Sequence, residues 1–274
     1  MAKITAADVN KLRKQTGAGM MDCKKALVEA EGDFDKAIDL LRKKGQKVAA
    51  KRADRDASEG AVIALTSDDN TKGIVVMVNC ETDFVAKNES FVALATRIAE
   101  VALANFPATL ADLKAVSFDD SMTIEEKLTE QTGVIGEKID IAGYETAEGA
   151  YVASYIHMGN KIATLVTLTE EAAEAGRDVA MQAAAMNPLA LNKDGVSQEA
   201  IDREIEVGKE QARAEGKPEA MLEKIAMGKL GKFYKENTLV EQAFIKDSKM
   251  SVAKYLDSVN KGMEVTDFKR LALA

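Results

Sequence analysis

The chain has 274 residues, a length typical of about two domains. Its composition, 46% hydrophobic and 30% charged, is that of a folded globular protein and excludes a disordered one. The formal net charge of −8 argues against a general binder of nucleic-acid phosphates, and every apolar run is far shorter than the ~20 residues of a membrane span.

The chain also lacks a targeting pattern, since its first residues contain neither an apolar signal segment nor an Arg- and Ser-rich transit peptide. Cys23 and Cys80 have no CxxC partner and no clustered histidines. We therefore expect a cytoplasmic protein with reduced cysteines, no bound metal, no cofactor and no membrane contact.

Residues 1–45 predict a compact module of three short helices. Thr5 with Asp8 forms a variant capping box for the first helix. Asp22 and Asp33 are candidate N-caps of the second and third helices. Glycines end the three helices: Gly17, Gly32 and Gly45.

Residues 46–58 are charged and alanine-rich and predict a linker, with a helical conformation as an open alternative. A basic cluster surrounds its start: Arg42, Lys43, Lys44, Lys47, Lys51, Arg52 and Arg55. No aromatic residue is interleaved to stack on bases, so a solvated face is favoured over a nucleic-acid contact, which stays the alternative.

The middle of the chain changes to strands. Residues 61–65 and 73–80 flank the turn-rich residues 67–70 and predict a hairpin, followed by a helix with Asn88 as N-cap that ends near Asn105. Next come a capping box at Thr123 and Glu126, a glycine-bounded helix end at 133–136, and an alternating strand at 138–144.

A similar order recurs in the second half. Residues 151–157 and 161–169 predict a hairpin about Gly159 and Asn160, and a helix follows to Met186, so we predict two related β-β-α units. Residues 198–236 predict an antiparallel helical hairpin broken at Gly216-Lys217-Pro218. The fold class is α+β.

No catalytic signature is present: the sequence contains no phosphate-binding loop, no GxSxG and no HExxH. The single histidine, His157, precedes a hairpin turn, where a structural role is favoured over a general base. Met20 and Met21 follow two glycines and are either a flexible apolar contact or a loop packed into the helical module. We expect a binding protein and not an enzyme.

The corner at residues 82–85 joins the buried strand to the following helix and carries a large apolar residue, Phe84. Such corners are surface positions on a rigid scaffold. From chemistry alone, Thr82 or Asp83 caps a short helical turn and Phe84 packs beneath it; the alternative is that Phe84 points outward.

Two segments, TGAGMMDCKKAL at 16–27 and NCETDFVAK at 79–87, resemble the two signatures of the bacterial elongation factor Ts family. Shorter matches follow in the same order over the rest of the chain: IGE at 135–137, YIH at 155–157, KI at 161–162, the helix around Met181, GKP at 216–218, and Phe244.

The resemblance implies a guanine nucleotide exchange factor that binds GDP-bound and nucleotide-free elongation factor Tu. The family's corner disturbs the magnesium site of that GTPase, which carries over to Thr82, Asp83, Phe84 and Val85. The outward position of Phe84 is then favoured. Further contacts with elongation factor Tu carry over to Arg13, Met20, Met21, Lys24, Ile135, Gly136, His157 and Ile245, while Lys246 stands where the family often has an apolar residue.

The resemblance also implies the domain organisation. We assign a three-helix module of the ubiquitin-associated type to 1–45, a linker to 46–58, one core subdomain to 59–138 and the second to 139–274, with the helical hairpin at 198–236 and a C-terminal module at 244–274. The competing interpretations are a non-catalytic adaptor or scaffold that binds through its N-terminal helices, and a nucleotide-binding enzyme.

Overall fold

The computed structural model describes residues 4–273. The chain folds into helices and small antiparallel sheets, so the predicted α+β class is confirmed. Over these residues, no helix combines the length and the apolar character needed to cross a membrane.

The N-terminal module contains α1 (Ala6–Thr16), α2 (Met20–Glu29) and α3 (Phe34–Arg52). The predicted capping box at Thr5 and Asp8 is present, and Asp33 caps α3 by accepting a hydrogen bond from the Lys36 N–H. Short helices are unstable alone, so the module depends on mutual packing. Its buried core includes Val9, Leu12, Cys23, Ala26, Leu27 and Ala37.

Two predicted helix boundaries are wrong. Helix α2 begins at Met20 with Gly19 as its N-cap, so Asp22 lies in the first turn and does not cap the helix. Helix α3 does not end at Gly45 but continues to Arg52, through much of the predicted linker. Gly45 is buried in mid-helix, where Gly133 of another helix lies so close that a Cβ on Gly133 would be 2.4 Å from the Gly45 Cα.

The next elements are β1 (Glu59–Thr66), β2 (Lys72–Cys80), α4 (Asp83–Ala86), α5 (Glu89–Asn105), α6 (Leu110–Ala115), β3 (Ser117–Asp119), β4 (Met122–Thr123), α7 (Ile124–Ile135) and β5 (Asp140–Glu148). Strands β1, β2 and β5 form an antiparallel sheet in that order, with β2 in the centre. Strand β5 falls in the range 139–274 predicted for the second subdomain, but it pairs with β2 of the first. Helix α5 covers one face of this sheet with Phe91 and Ile98.

The second unit repeats this order with β6 (Tyr151–Ile156), β7 (Ile162–Leu168), α8 (Ala173–Met186) and, much later, β10 (Val265–Ala272). Its sheet has β7 in the centre, between β6 and β10. Each unit is therefore a hairpin, a helix and a third antiparallel strand that arrives from further along the chain.

The two sheets pack face to face through an apolar layer of Val62, Ala64, Val75, Ala147, Val152, Ala163 and Leu165. A reciprocal pair of backbone hydrogen bonds joins them: the Val62 N–H donates to the Asn160 carbonyl at 2.7 Å, and the Val152 N–H donates to the Asn70 carbonyl at 2.6 Å. Both asparagines have positive φ, 57° at Asn160 and 53° at Asn70. The two units thus contact each other in an equivalent way.

The remaining elements are α9 (Gln198–Ala214), α10 (Glu219–Asn237), β8 (Ala243–Phe244), β9 (Asp247–Ser251), α11 (Val252–Val259) and a short 3₁₀ helix at Lys193–Gly195. Helices α9 and α10 form the predicted antiparallel hairpin, and Gly216 makes its turn with a φ of 75°. Gly208 of α9 lies against Ala226 of α10, where a Cβ would be 3.1 Å from the Ala226 Cα.

The contact between α3 and α7 predicts opposite effects for two glycines. A Cβ on Gly133 would lie 2.4 Å from the Gly45 Cα, whereas a Cβ on Gly45 would lie 3.7 Å from the Gly133 Cα. We expect Gly133→Ala to lower the free energy of unfolding by about 1–3 kcal/mol because backbone must move. Gly45→Ala is the matched control and should raise it by about 0.5–1 kcal/mol through helix propensity. Urea unfolding measures both, and equal effects would contradict the close crossing.

Candidate functional site

The corner that follows β2 is a single helical turn, α4, whose second residue is Phe84. Thr82 is its N-cap and accepts a hydrogen bond from the Val85 N–H at 3.4 Å. Val85 and Ala86 pack against the core of the first unit. Because successive helical residues point about 100° apart, burying these two side chains turns Phe84 away from the core.

Phe84 is 84% exposed. The structure therefore confirms that Thr82 caps the turn but contradicts the interpretation that Phe84 packs beneath it. Exposed apolar side chains are ordinary on protein surfaces, but a phenylalanine that extends from a rigid corner marks a candidate contact site.

Two carboxylates hold the corner from below. The Glu137 carboxylate accepts the Thr82 N–H at 3.0 Å and the Thr82 hydroxyl at 2.7 Å. The Glu81 carboxylate accepts the Lys138 N–H at 2.7 Å and two hydrogen bonds from Arg52 Nη1, both at 2.8 Å. The sequence gives no local signal of this role for Glu81 or Glu137, because their partners lie far along the chain.

The charges at the corner are fixed by these contacts. The Lys138 N–H, and then the Arg52 guanidinium, hold the pKa of Glu81 below its usual value. The Lys87 ammonium lies 2.6 Å from the Asp83 carboxylate, and this hydrogen bond lowers the pKa of Asp83 and raises that of Lys87. The corner therefore presents Phe84 beside an ion pair that is charged at neutral pH.

Ile135 and Gly136 lie next to the corner because they directly precede Glu137. Ile135 is half-buried against the core of the first unit. Gly136 ends α7 in the left-handed region with a φ of 82°, and open space surrounds the position of its missing side chain. The structure thus brings Ile135 and Gly136 together with residues 82–85.

The predicted residues of the N-terminal module are all on its surface. Met20 and Met21 are 52% and 61% exposed, and Arg13 and Lys24 are also exposed. The loop before Met20 contacts the end of α7, since a Cβ on Gly17 would lie 3.7 Å from Val134 Cγ1. The methionines are therefore not packed into the module, and the alternative interpretation of the sequence is wrong.

His157 is exposed in the turn between β6 and β7, and a 3.2 Å hydrogen bond joins its Nδ1 to the Tyr155 hydroxyl. This turn lies at the same end of the first sheet as the corner: Lys161 forms a 3.2 Å ion pair with Glu59, which pairs with Cys80 in the sheet. Met158, 90% exposed, was not predicted as a contact. One sequence signal could have indicated it: Met158 is an apolar residue in a hairpin turn, whereas the turn of the first hairpin, residues 67–70, is polar.

Ile245 lies in the second unit, and its N–H donates to the Gln182 side chain at 2.8 Å. It is 40% exposed and, within residues 4–273, none of its hydrogen bonds reaches the corner. Lys246 forms a 2.6 Å ion pair with the nearly buried Asp178. That contact accounts for a charged residue at this position.

The thiol at the corner is buried and is not placed to act as a nucleophile. Cys80 is buried beneath the corner, and its thiol donates to the Thr82 carbonyl at 3.2 Å. Burial raises the pKa of this thiol to about 12, so it stays protonated at neutral pH. Over the part of the chain that the structure describes, no group of three or more His, Cys, Asp and Glu side chains is placed to hold a metal ion.

The fold and the site define an α+β protein of two related units that presents an exposed aromatic corner. The family model described as elongation factor TS matches residues 81–274. The chain is 63% identical to the elongation factor Ts of Christiangramia forsetii and 61% identical to that of Flavobacterium psychrophilum, each over 100% of both chains. It is 53% identical to that of Amoebophilus asiaticus, over 98% of both. The chain belongs to the elongation factor Ts family, a family of translation elongation factors.

Burial of Cys80 predicts low reactivity toward alkylating reagents. At pH 8 a thiol with the ordinary pKa of 9.0 is about one-tenth thiolate, whereas a thiol with a pKa of about 12 is ionised about a thousandfold less. We expect iodoacetamide to modify Cys80 at least a hundredfold more slowly in the native protein than in urea at the same pH, as measured by peptide mass spectrometry. Equal rates in the two conditions would contradict the buried position.

Proposed function

We propose that this chain is a guanine nucleotide exchange factor for elongation factor Tu. It binds the GDP-bound form, perturbs the magnesium site and promotes GDP release so that GTP can bind. The observation that carries the proposal is Phe84, exposed at the tip of a corner that two carboxylates hold in place. Membership of the elongation factor Ts family gives the class of partner.

The physical basis of exchange is thermodynamic linkage. A protein that binds the nucleotide-free GTPase more tightly than the GDP-bound form must weaken GDP binding by the same factor. No covalent chemistry is required. The proposed factor therefore acts by binding energy alone and is not an enzyme in the chemical sense.

The corner residues divide this task. Magnesium holds the nucleotide phosphates to the GTPase. Displacement of its ligands therefore weakens the binding of both the magnesium ion and the nucleotide. Phe84 supplies an apolar side chain that can enter the partner and shift a packed element, and such elements respond in discrete steps. Asp83 places a charge beside it, while Thr82 and Val85 fix the turn to the core.

The other contacts extend the interface on either side of the corner. Arg13, Met20, Met21 and Lys24 form an exposed surface on the N-terminal module, while Ile135, Gly136 and His157 lie near the corner. Ile245 would contact the partner separately. The partner is a cytoplasmic GTPase. We propose no direct contact between this protein and nucleic acid.

The runner-up is a non-catalytic adaptor of the ubiquitin-associated type, in which the three N-terminal helices bind and the core is a spacer. The exposed methionines of α2 favour it, since Met side chains suit adaptable contacts. An adaptor would bind its partner without changing the rate of GDP release. A nucleotide-binding enzyme, the third option, would bind labelled GDP in the absence of any partner.

We expect Phe84→Ala to lower the rate of GDP release from elongation factor Tu by about tenfold or more, because hot-spot aromatic contacts contribute about 2 kcal/mol or more. The fold should be unaffected, since the side chain is 84% exposed. Release of fluorescent GDP, measured at several magnesium concentrations, gives the rate, and thermal unfolding gives the stability.

Met227→Ala is the matched control, because Met227 is another large exposed apolar residue, 51% exposed on α10. With this variant, elongation factor Tu should release GDP at the same rate as with the wild-type protein. A Phe84→Ala protein that is folded and equally active would exclude Phe84 from the mechanism. A wild-type protein that leaves GDP release unchanged would refute the proposed function.

A further inference from the structure

Two pairs of consecutive residues face each other beneath the corner: Glu81 with Thr82, and Glu137 with Lys138. The glutamate of each pair accepts a backbone hydrogen bond from the other pair. Glu81 accepts the Lys138 N–H at 2.7 Å, and Glu137 accepts the Thr82 N–H at 3.0 Å. We call these four residues the carboxylate clasp. It fastens the end of β2 to the segment between α7 and β5.

Glu137 uses both carboxylate oxygens on Thr82. One accepts the backbone N–H and the other accepts the hydroxyl at 2.7 Å. Thr82 is the N-cap of α4, so its position determines where the turn begins and in which direction Phe84 leaves it. A carboxylate that accepts two hydrogen bonds forms stronger contacts than a neutral acceptor does.

Glu81 carries the clasp to the N-terminal module. Arg52, the last residue of α3, binds the Glu81 carboxylate, and the Lys138 ammonium donates to the carbonyls of Ala53 at 2.8 Å and Arg55 at 3.1 Å. The corner, the end of α7 and the end of α3 therefore meet at one junction.

The corner needs this external support. Helix α4 has only four residues, and a helix of that length does not form alone in water. Phe84, the residue with the proposed contact, is too exposed to anchor the turn by its own packing. A side chain that displaces an element of a partner must be held in the productive orientation by its surroundings.

We propose that Glu137 is a positioning residue for nucleotide release, which fixes Thr82 and thereby the direction in which Phe84 enters the partner. The proposal rests on the proposed exchange function and deepens it. Glu137 touches neither the nucleotide nor the magnesium ion in this account and acts through Thr82 alone. Its loss should reduce the maximal rate of release more than it weakens binding, because the other contact surfaces remain.

The test measures GDP release from elongation factor Tu against the concentration of the full-length protein. We expect Glu137→Ala to lower the maximal rate by about tenfold, the usual effect of losing hydrogen bonds to a charged acceptor, with the half-maximal concentration changed by less than about threefold. Glu137→Gln should recover most of the rate, since its amide can accept the Thr82 N–H and donate to the Thr82 hydroxyl.

Two further variants separate positioning from a general loss of stability. Glu126→Ala removes a carboxylate from the capping box at the other end of α7, where it accepts the Thr123 N–H at 2.8 Å. It should lower the melting temperature but leave GDP release unchanged. In a Phe84→Ala background, Glu137→Ala should cause no further decrease in rate, because both changes remove the same action.

The outcomes distinguish this proposal from the proposed function. A wild-type protein that does not accelerate GDP release refutes both. An active wild type with an equally active Glu137→Ala, or an additional loss of rate in the Phe84→Ala background, overturns the positioning role alone. If Glu137→Ala does not fold, Thr82→Val tests the same contact by removing the hydroxyl that donates to Glu137 and also accepts the Val85 N–H. It should lower the maximal rate by about threefold, and an unchanged rate overturns the proposal.

Discussion

The face-to-face packing of the two sheets is the constraint on which the rest of the structure depends. Strand β2 lies between β1 and β5, and this packing holds its sheet against the second unit. The corner extends directly from β2. The contact is close: a Cβ on Gly73 would lie 2.7 Å from Val152 Cγ1. Two reciprocal backbone hydrogen bonds fix the register of one unit on the other. A strand held in this way gives the corner a rigid base.

The corner is also a difference between the two units in the connection from the central strand to the helix. In the second unit, β7 ends at Leu168 and the helix begins at Ala173 after a short connection. In the first unit, α4 and two residues of the clasp, Glu81 and Thr82, occupy a longer connection between Cys80 and Glu89. The repeated architecture thus supplies the scaffold, and the extra turn in one copy supplies the exposed aromatic side chain.

The sequence predicts the features that depend on neighbouring residues. The capping boxes at Thr5 and Thr123, the N-cap at Asn88 and both hairpins are observed, because the groups that form them are local. The end of α3 was mispredicted because Gly45, which resembles a stop signal, instead serves a contact with Gly133. The third strand of each sheet, β5 and β10, pairs with strands distant in sequence, which periodicity does not reveal.

The site follows the same division. The family resemblance of the segments at 16–27 and 79–87 indicates residues 82–85 as a contact site, but local chemistry alone favours a buried Phe84. Its exposure follows from the packing of Val85 and Ala86 on the core, and its support comes from Glu137, far along the chain. Neither contact has a local signature. The direction of this side chain depends on long-range packing, which appears only when the fold is assembled.

Direct contact between Phe84 and the GTPase is the central claim, and photocrosslinking tests it most directly. A photoreactive phenylalanine analogue would replace Phe84 in one protein and Met227 in another, and each would be irradiated with GDP-bound or nucleotide-free elongation factor Tu. The account predicts crosslinks from position 84 to the nucleotide-binding domain near the magnesium site, and none there from position 227. Crosslinks from position 84 to another domain only, or none at all, would contradict it.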